Sequence, residues 1–141
     1  MTRTLLHAST IAVDGRGALI QGASGSGKSS LALQLMALGA QLISDDQTSL
    51  HLQGGQVWAS APQKIAGLIE ARGVGILRAD HCTAPLTLVI NLDHAEIERL
   101  PVNKTVTFLG HSFPILHKVD SPAWPASILQ YLKVSRKYPE G

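Results

Sequence analysis

Eight residues near the amino terminus have the types and spacing of a phosphate-binding loop. They run Gly22-Ala23-Ser24-Gly25-Ser26-Gly27-Lys28-Ser29 and match the pattern G-x-x-x-x-G-K-[ST] at every fixed position. Glycines let consecutive backbone N–H groups curl around a polyphosphate, the lysine reaches the outer phosphates, and the final hydroxyl can bind Mg²⁺. We therefore expect this loop, together with the following Ser30, to bind a nucleoside triphosphate such as ATP.

The residues on either side of the loop predict the elements that this chemistry needs. Residues 17–21 form a short apolar stretch suited to a buried strand. Residues 30–38 carry Leu31, Leu35 and Leu38 at helical spacing, and Gly39 follows as a helix stop. A strand, a loop and a helix in this order would bring the positive end of the helix dipole to the bound anion. The flanks therefore favour a phosphate site over a glycine-rich turn that matches by accident.

Two places along the chain offer carboxylates for the metal ion and the attacking group. Asp45 and Asp46 end the strand predicted over 40–44, and a strand that follows a phosphate-loop helix often lies beside the loop strand. Adjacent like charges are costly unless a cation or a proton separates them, which favours a functional pair over a solvated acidic turn. Asp93 follows a strongly apolar stretch and is either an ordinary metal-binding acid or, the reading we favour, the cap of a helix beginning near Ala95.

Composition limits the class of protein. The 141 residues are 45% hydrophobic and 16% charged, which predicts one folded domain spanning 1–141. The net charge is only +2, and apart from Lys133, Arg136 and Lys137 near the carboxyl end the sequence has no basic cluster, so nucleic acid is not an expected partner. The sequence has no apolar run of about 20 residues and no leader-like start, so we expect a cytoplasmic protein without membrane contact. We expect the lone Cys82 to be a small buried hydrophobe.

The remaining pattern predicts a strand-rich α/β domain with one long helix after the loop and one at the carboxyl end. Asp14-Gly15 and Gly54-Gly55 are hairpin signals, each placed between apolar stretches. Residues 64–71 suit either a short helix or an irregular segment, and residues 95–100 suit one or two helical turns. Further strands are expected over 75–77, 86–92, 105–109 and 113–116, and the last helix over 126–134.

Three further motifs stand at fixed distances from the loop. His7 lies fifteen residues before Gly22. The segment Glu-x-Arg-Gly-x-Gly-Ile is present as residues 70–76, and Glu98-Arg99-Leu100 follows later. Together with the loop and the acid pair, this order resembles the catalytic domain of the HPr kinase/phosphorylase family, over about residues 4–116. These bacterial enzymes phosphorylate a serine of HPr, the small phosphocarrier protein of the sugar phosphotransferase system.

The resemblance implies an α/β P-loop kinase domain that uses ATP and Mg²⁺. In the family pattern, Lys28 would contact the phosphates. Ser29 and Glu70 would hold Mg²⁺, since a hard cation prefers oxygen ligands.

The resemblance also implies how the phosphoryl group would be transferred. Asp46 would accept the proton of the serine hydroxyl, with Asp45 beside it, and His7 would orient or assist the pair. Arg99 would stabilise charge on the transferred phosphoryl group, because a guanidinium fork suits phosphate. HPr would be the protein substrate, and a homo-oligomer the expected assembly.

The sequence departs from the family pattern beyond this region. Where the family has Pro-Val-Arg-Pro-Gly-Arg, a segment tied to the dephosphorylating reaction, residues 119–124 contain no arginine. Because these arginines are missing, we expect kinase activity, with phosphorylase activity doubtful. We also expect a short form of the family, without the amino-terminal domain. Two alternatives stay open: a small-molecule kinase, which usually has an arginine-rich lid, and a regulatory protein that senses a nucleotide with little or no phosphoryl transfer.

Overall fold

The structure, a computed structural model, describes residues 2–134. Residue 1 and residues 135–141 of the expected domain, including the basic Arg136 and Lys137, lie outside this range. Eleven strands, two α-helices and a 3₁₀ turn at Gln63–Ile65 make up the described chain. In order they are β1 (Arg3–Leu6), β2 (Ala8–Val13), β3 (Arg16–Gln21), α1 (Lys28–Ala37), β4 (Gln41–Ser44), β5 (Thr48–Gln53), β6 (Gln56–Ser60), β7 (Leu68–Ala71), β8 (Gly75–Arg78), β9 (Ala84–Ala95), β10 (Thr105–Phe108), β11 (His111–Lys118) and α2 (Trp124–Val134).

Three parallel strands form the centre of the main sheet. β9 pairs in parallel with β3 on one side and with β11 on the other. β2 pairs antiparallel with both β3 and β4, and the full order is β1-β5-β6-β9-β3-β2-β4, with β10 added beside β11. The two predicted hairpins join β2 to β3 and β5 to β6. At the first turn, Asp14 and Gly15 both have positive φ, 51° and 74°, which matches the right-handed twist of the strands.

Both faces of the central strands are buried. On one face, Leu35 of α1 and Ile128 of α2 share an apolar cluster with Ile20. On the other face, Leu19 and Val89 belong to a second cluster with residues of β5 and β6. Strands covered on both sides need nearly continuous apolar sequences, which is why β3 and β9 were recognisable. Within residues 2–134, neither helix has the length and apolar character that crossing a bilayer requires.

The segment after β9 differs from the prediction. β9 continues through Asp93 to Ala95, and residues 96–104 form no helix. The strand is held extended because β11 pairs with it as far as the Lys118–Ala95 register position, and the Glu96 N–H donates to Lys118 O at 2.8 Å. The prediction that Asp93 caps a helix is therefore wrong.

Two other local predictions need correction. Residues 68–71 are neither helical nor irregular: β7 and β8 form a hairpin, in which Gly73 takes the left-handed φ of 81°. β4 does not lie beside the loop strand, because β2 stands between them. Since β2 is antiparallel to both neighbours, β4 still runs in the direction of β3 and ends at the same edge of the sheet.

Cys82 is half-buried, and burial raises the pKa of its thiol.

Candidate active site

The glycine-rich loop joins β3 to the amino terminus of α1. The helix begins at Lys28, its cap residue Gly27 has a φ of 101°, and no side chain caps the helix. Its first turn contains no acidic residue either. The uncapped N–H groups and the positive end of the helix dipole are therefore available for an anion in front of the loop.

Three residues of the loop form its base and do not line the cavity in front of it: Gly22, Ala23 and Ser26. A Cβ on Gly22 would lie 2.5 Å from Ser26 Oγ and 3.2 Å from Leu92 Cβ, so a larger residue here would force these neighbours to move. The Ser26 N–H donates to Ala23 O at 3.0 Å and closes the turn. Within residues 2–134, the buried Ser26 Oγ has no hydrogen-bond partner. These residues therefore shape the loop.

The Lys28 side chain is folded against the base of the loop. Its ammonium donates to Gly22 O at 2.9 Å and to Ala23 O at 3.1 Å, and the residue is buried. An ammonium group has three N–H donors. Two of them tie the lysine to the loop, and the third remains for an anion in the cavity.

Asp45 connects three separate segments of the chain. Its Oδ1 accepts from Ser9 Oγ at 2.7 Å and from Ser29 Oγ at 2.5 Å, and its Oδ2 accepts from the Glu70 N–H at 3.0 Å. The carboxylate is buried, and these donors on β2, α1 and β7 compensate its charge. Asp45 therefore holds together the two residues expected to bind Mg²⁺, Ser29 and Glu70.

Asp46 has the opposite environment. Its side chain is 69% exposed, its φ is 69°, and its Oδ1 accepts from His7 Nε2 at 2.9 Å. The Asp46 N–H donates to Ser9 Oγ at 3.2 Å. The fully buried Ser9 hydroxyl therefore donates to Asp45 and accepts from the Asp46 N–H. This arrangement turns the two carboxylates to different sides. Asp46 is the acid that can reach an incoming group.

A cavity of about 630 Å³ lies in front of the loop. The structure brings ten of the predicted site residues to its wall: His7, Ser24, Gly25, Gly27, Lys28, Ser29, Ser30, Asp45, Asp46 and Glu70. Arg99 is not among the lining residues; it lies in the exposed segment after β9. Asp93 is also outside the wall, and its carboxylate accepts from the Ala23 N–H.

Among the residues at the site that were not predicted from the sequence are Arg72 and Ser9. Arg72, at the tip of the β7–β8 hairpin, lines the cavity and brings a cation to it. The sequence contained a signal for Arg72, because this residue is the arginine of the Glu-x-Arg-Gly segment. Ser9 has a weaker signal, a small polar residue in a strand whose other positions are mostly apolar.

The oxygen donors at the cavity suit Mg²⁺ in the presence of a polyphosphate. Among the described residues, no three His, Cys, Asp or Glu side chains cluster as a metal site of their own. Mg²⁺ usually takes one or two carboxylates and completes its shell with water and phosphate oxygens. The Ser29 hydroxyl gives its hydrogen to Asp45, which leaves the oxygen lone pairs for a cation.

The fold and the cavity first define the class of protein. It is a mixed α/β domain in which β3, one of three central parallel strands, is joined to a helix by a glycine-rich loop. Residues 1–107 match the family model of the HPr serine kinase C-terminal domain. The chain therefore belongs to the HPr kinase family, as the order of its motifs indicated.

Individual relatives agree with this assignment. The HPr kinase/phosphorylase of Brevibacillus brevis is 35% identical over 127 residues, covering 80% of this chain and 41% of that protein. The HPr kinase/phosphorylase of Clostridium botulinum is 42% identical over 74 residues, covering 52% and 24%. The solved structure of the Hpr(Ser) kinase/phosphatase from Coxiella burnetii is 26% identical with a TM-score of 0.78, covering 92% of this chain and 88% of that one. The chain spans less than half the length of the two curated relatives.

Proposed function

We propose that this domain transfers the γ-phosphoryl group of ATP to a serine of HPr. One observation carries the proposal: the exposed Asp46, paired with His7, lines the same cavity as Lys28 and the uncapped helix end. A phosphate site and an exposed carboxylate at one cavity are what phosphoryl transfer to a hydroxyl requires.

The nucleotide phosphates would bind between the loop and the β7–β8 hairpin. The free N–H of the Lys28 ammonium, the amino terminus of α1 and the Arg72 guanidinium supply positive charge from different sides. Mg²⁺, held by Ser29 and Glu70, would neutralise charge on the phosphate oxygens. Asp45 fixes the Ser29 hydroxyl and the backbone of Glu70. Positive groups held in place before the reaction need no rearrangement when charge develops.

Transfer would occur on the Asp46 side of the cavity. The serine oxygen forms a bond to the γ-phosphorus as the bond to the β–γ bridging oxygen breaks, ADP leaves, and Asp46 Oδ accepts the serine proton. His7 Nε2 holds the other side of this carboxylate at 2.9 Å and so directs it. Arg72 lies at the cavity, whereas the role expected for Arg99 stays a prediction because that residue is outside the wall.

The reverse reaction would be weak. Phosphate attack on phosphoserine brings two anions together, and residues 119–124 contain no arginine to receive them. The homo-oligomeric assembly expected from the resemblance and the cytoplasmic location expected from the sequence are parts of the same proposal. The oligomer can be tested by measuring the mass of the particle in solution.

The test is a phosphotransfer assay with labelled ATP, Mg²⁺ and HPr. We expect label on HPr, and none on an HPr variant whose acceptor serine is replaced by alanine. ATP binding without transfer would favour the second candidate function, a nucleotide sensor. Two observations speak for that candidate: the position of Arg99 away from the cavity and the arginine-free segment 119–124. Absence of ATP binding would refute both.

A further inference from the structure

Asp93 contacts the phosphate loop from outside the cavity. Its two carboxylate oxygens accept the Ala23 N–H at 3.0 and 3.1 Å. Its own N–H donates to Asn91 Oδ1 at 2.8 Å. Asn91 is paired with Gln21, the last residue of β3 before the loop. The acid is therefore carried by a strand in register with the strand from which the loop departs.

The peptide groups of Ala23 link Asp93 to Lys28. On the other side of the residue, Ala23 O accepts from Lys28 Nζ at 3.1 Å and from the Ser26 N–H at 3.0 Å. Ala23 stands directly after Gly22 in a loop that also contains Gly25 and Gly27, and glycine leaves the backbone unusually free. Such a loop keeps one shape only if a rigid neighbour holds it. Asp93 supplies such a contact from β9 through its hydrogen bonds to the Ala23 N–H.

We propose that Asp93 is a positioning residue for nucleotide binding. Its carboxylate fixes the Ala23 backbone, and Ala23 O in turn fixes the place of the Lys28 ammonium. The inference rests on the proposed function, because it concerns the same phosphate site. It assigns Asp93 no contact with the nucleotide or with Mg²⁺, since the residue does not line the cavity.

The acceptor role and the charge of Asp93 can be separated by two substitutions. Asp93→Ala removes the acceptor, whereas Asp93→Asn keeps an acceptor oxygen of the same size and removes the negative charge. Asp14→Asn is the matched control, because Asp14 is an exposed acid in the turn at the opposite end of β3. Asparagine also tolerates its left-handed φ of 51°.

The experiment measures the ATP dissociation constant and the thermal midpoint without nucleotide for all four proteins. Asp93→Ala should weaken ATP binding about tenfold, the size expected from losing one hydrogen bond. Asp93→Asn should bind within about twofold of the parent or more tightly, because the acceptor remains and a charge near the phosphates is gone. The control should bind as the parent does. The exposed position of Asp93 predicts that the midpoints of all variants fall by less than the loss of ATP binding would require.

Three results would overturn the inference while leaving the proposed function intact. The first is parent-like ATP binding by Asp93→Ala. The second is equal weakening by Asp93→Asn and Asp93→Ala, which would assign the effect to charge. The third is a lowered midpoint that accounts for the whole loss of binding, which would make Asp93 a residue of general stability. A parent chain that binds no ATP would overturn the inference and the proposed function together.

Discussion

Replacing Asp45 and Asp46 one at a time by asparagine should separate the stability of the site from its chemistry. The two acids are adjacent in the chain, yet Asp45 is buried and Asp46 has a side chain that is 69% exposed. The substitution is the same in both cases and nearly preserves the shape of the side chain. A difference between the two variants therefore reports the environment of each acid.

Asp45→Asn should destabilise the domain. The carboxylate accepts from Ser9, Ser29 and the Glu70 N–H, and a hydrogen bond to a charged group contributes about 1.5–3 kcal/mol. Asparagine has one acceptor oxygen, so its amide N–H₂ must face a former donor. The Ser9 and Ser29 hydroxyls can rotate and accept from the amide instead, but the Glu70 N–H can only donate. Because burying an amide costs less than burying a carboxylate, we expect a net loss of about 2–4 kcal/mol. At about 3–4 °C per kcal/mol for a domain of this size, the thermal midpoint should fall by roughly 6–16 °C.

Asp46→Asn should leave stability nearly unchanged. The Asp46 carboxylate makes one exposed side-chain hydrogen bond, with His7, and exposed contacts of this kind contribute about 0–1 kcal/mol. Asparagine accepts the left-handed φ of 69° at this position. Phosphoryl transfer should fall at least about 100-fold, since general-base catalysis contributes about 10²–10⁴-fold. ATP affinity should stay the same or increase, because one negative charge is removed from the cavity.

The assay is thermal unfolding by circular dichroism, followed by an ATP titration and a phosphotransfer time course on the same preparations. Parent-like stability in Asp45→Asn, or a larger loss in Asp46→Asn than in Asp45→Asn, would refute the assignment of Asp45 as the structural centre. Transfer by Asp46→Asn near the parent rate would refute its assignment as the base.

The remaining predictions concern the metal, the buried hydroxyl and acid stability. Glu70→Gln should raise the Mg²⁺ requirement and slow transfer without unfolding, because Asp45 contacts only its backbone N–H; an unchanged Mg²⁺ titration would remove Glu70 from the metal site. Ser9→Ala should cost about 1–3 kcal/mol in urea unfolding, whereas Ser127→Ala on the exposed side of α2 should cost less than about 0.5 kcal/mol; equal losses would contradict the role of Ser9. The Glu98 N–H, with Lys104 and the Ile97 N–H, holds the pKa of Glu96 below its ordinary 4.5. The stabilisation by Glu96 is therefore present above pH 4.5 and lost as pH falls through the lowered pKa of the folded state. Glu96→Gln should reduce the loss of unfolding free energy at acid pH, as measured by urea titration at a series of pH values. The same pH dependence in the variant and the parent would contradict the prediction.

Local features of the fold could be predicted because neighbouring residues determine them. The phosphate loop, the two glycine hairpins and the apolar strands β3 and β9 depend on backbone freedom and on burial of both strand faces, and short stretches of sequence express both. The family resemblance was confirmed for the same reason, since its motifs are short and closely spaced. Of the candidate site, the sequence indicated the phosphate loop, His7, the acid pair and Glu70. Residues of the loop line one cavity together with His7, the acid pair and Glu70.

Long-range pairing decided what the sequence left open. Asp45 and Asp46 are adjacent, but only the packing of β2, α1 and β7 around one of them makes it the buried partner of Ser29. Asp93 has a sequence context that suits a helix cap. β9 continues past it because β11 pairs with this strand as far as Ala95, and there the Asp93 carboxylate meets the loop. These roles depend on contacts between residues far apart in the chain, and no local pattern of residues encodes such contacts.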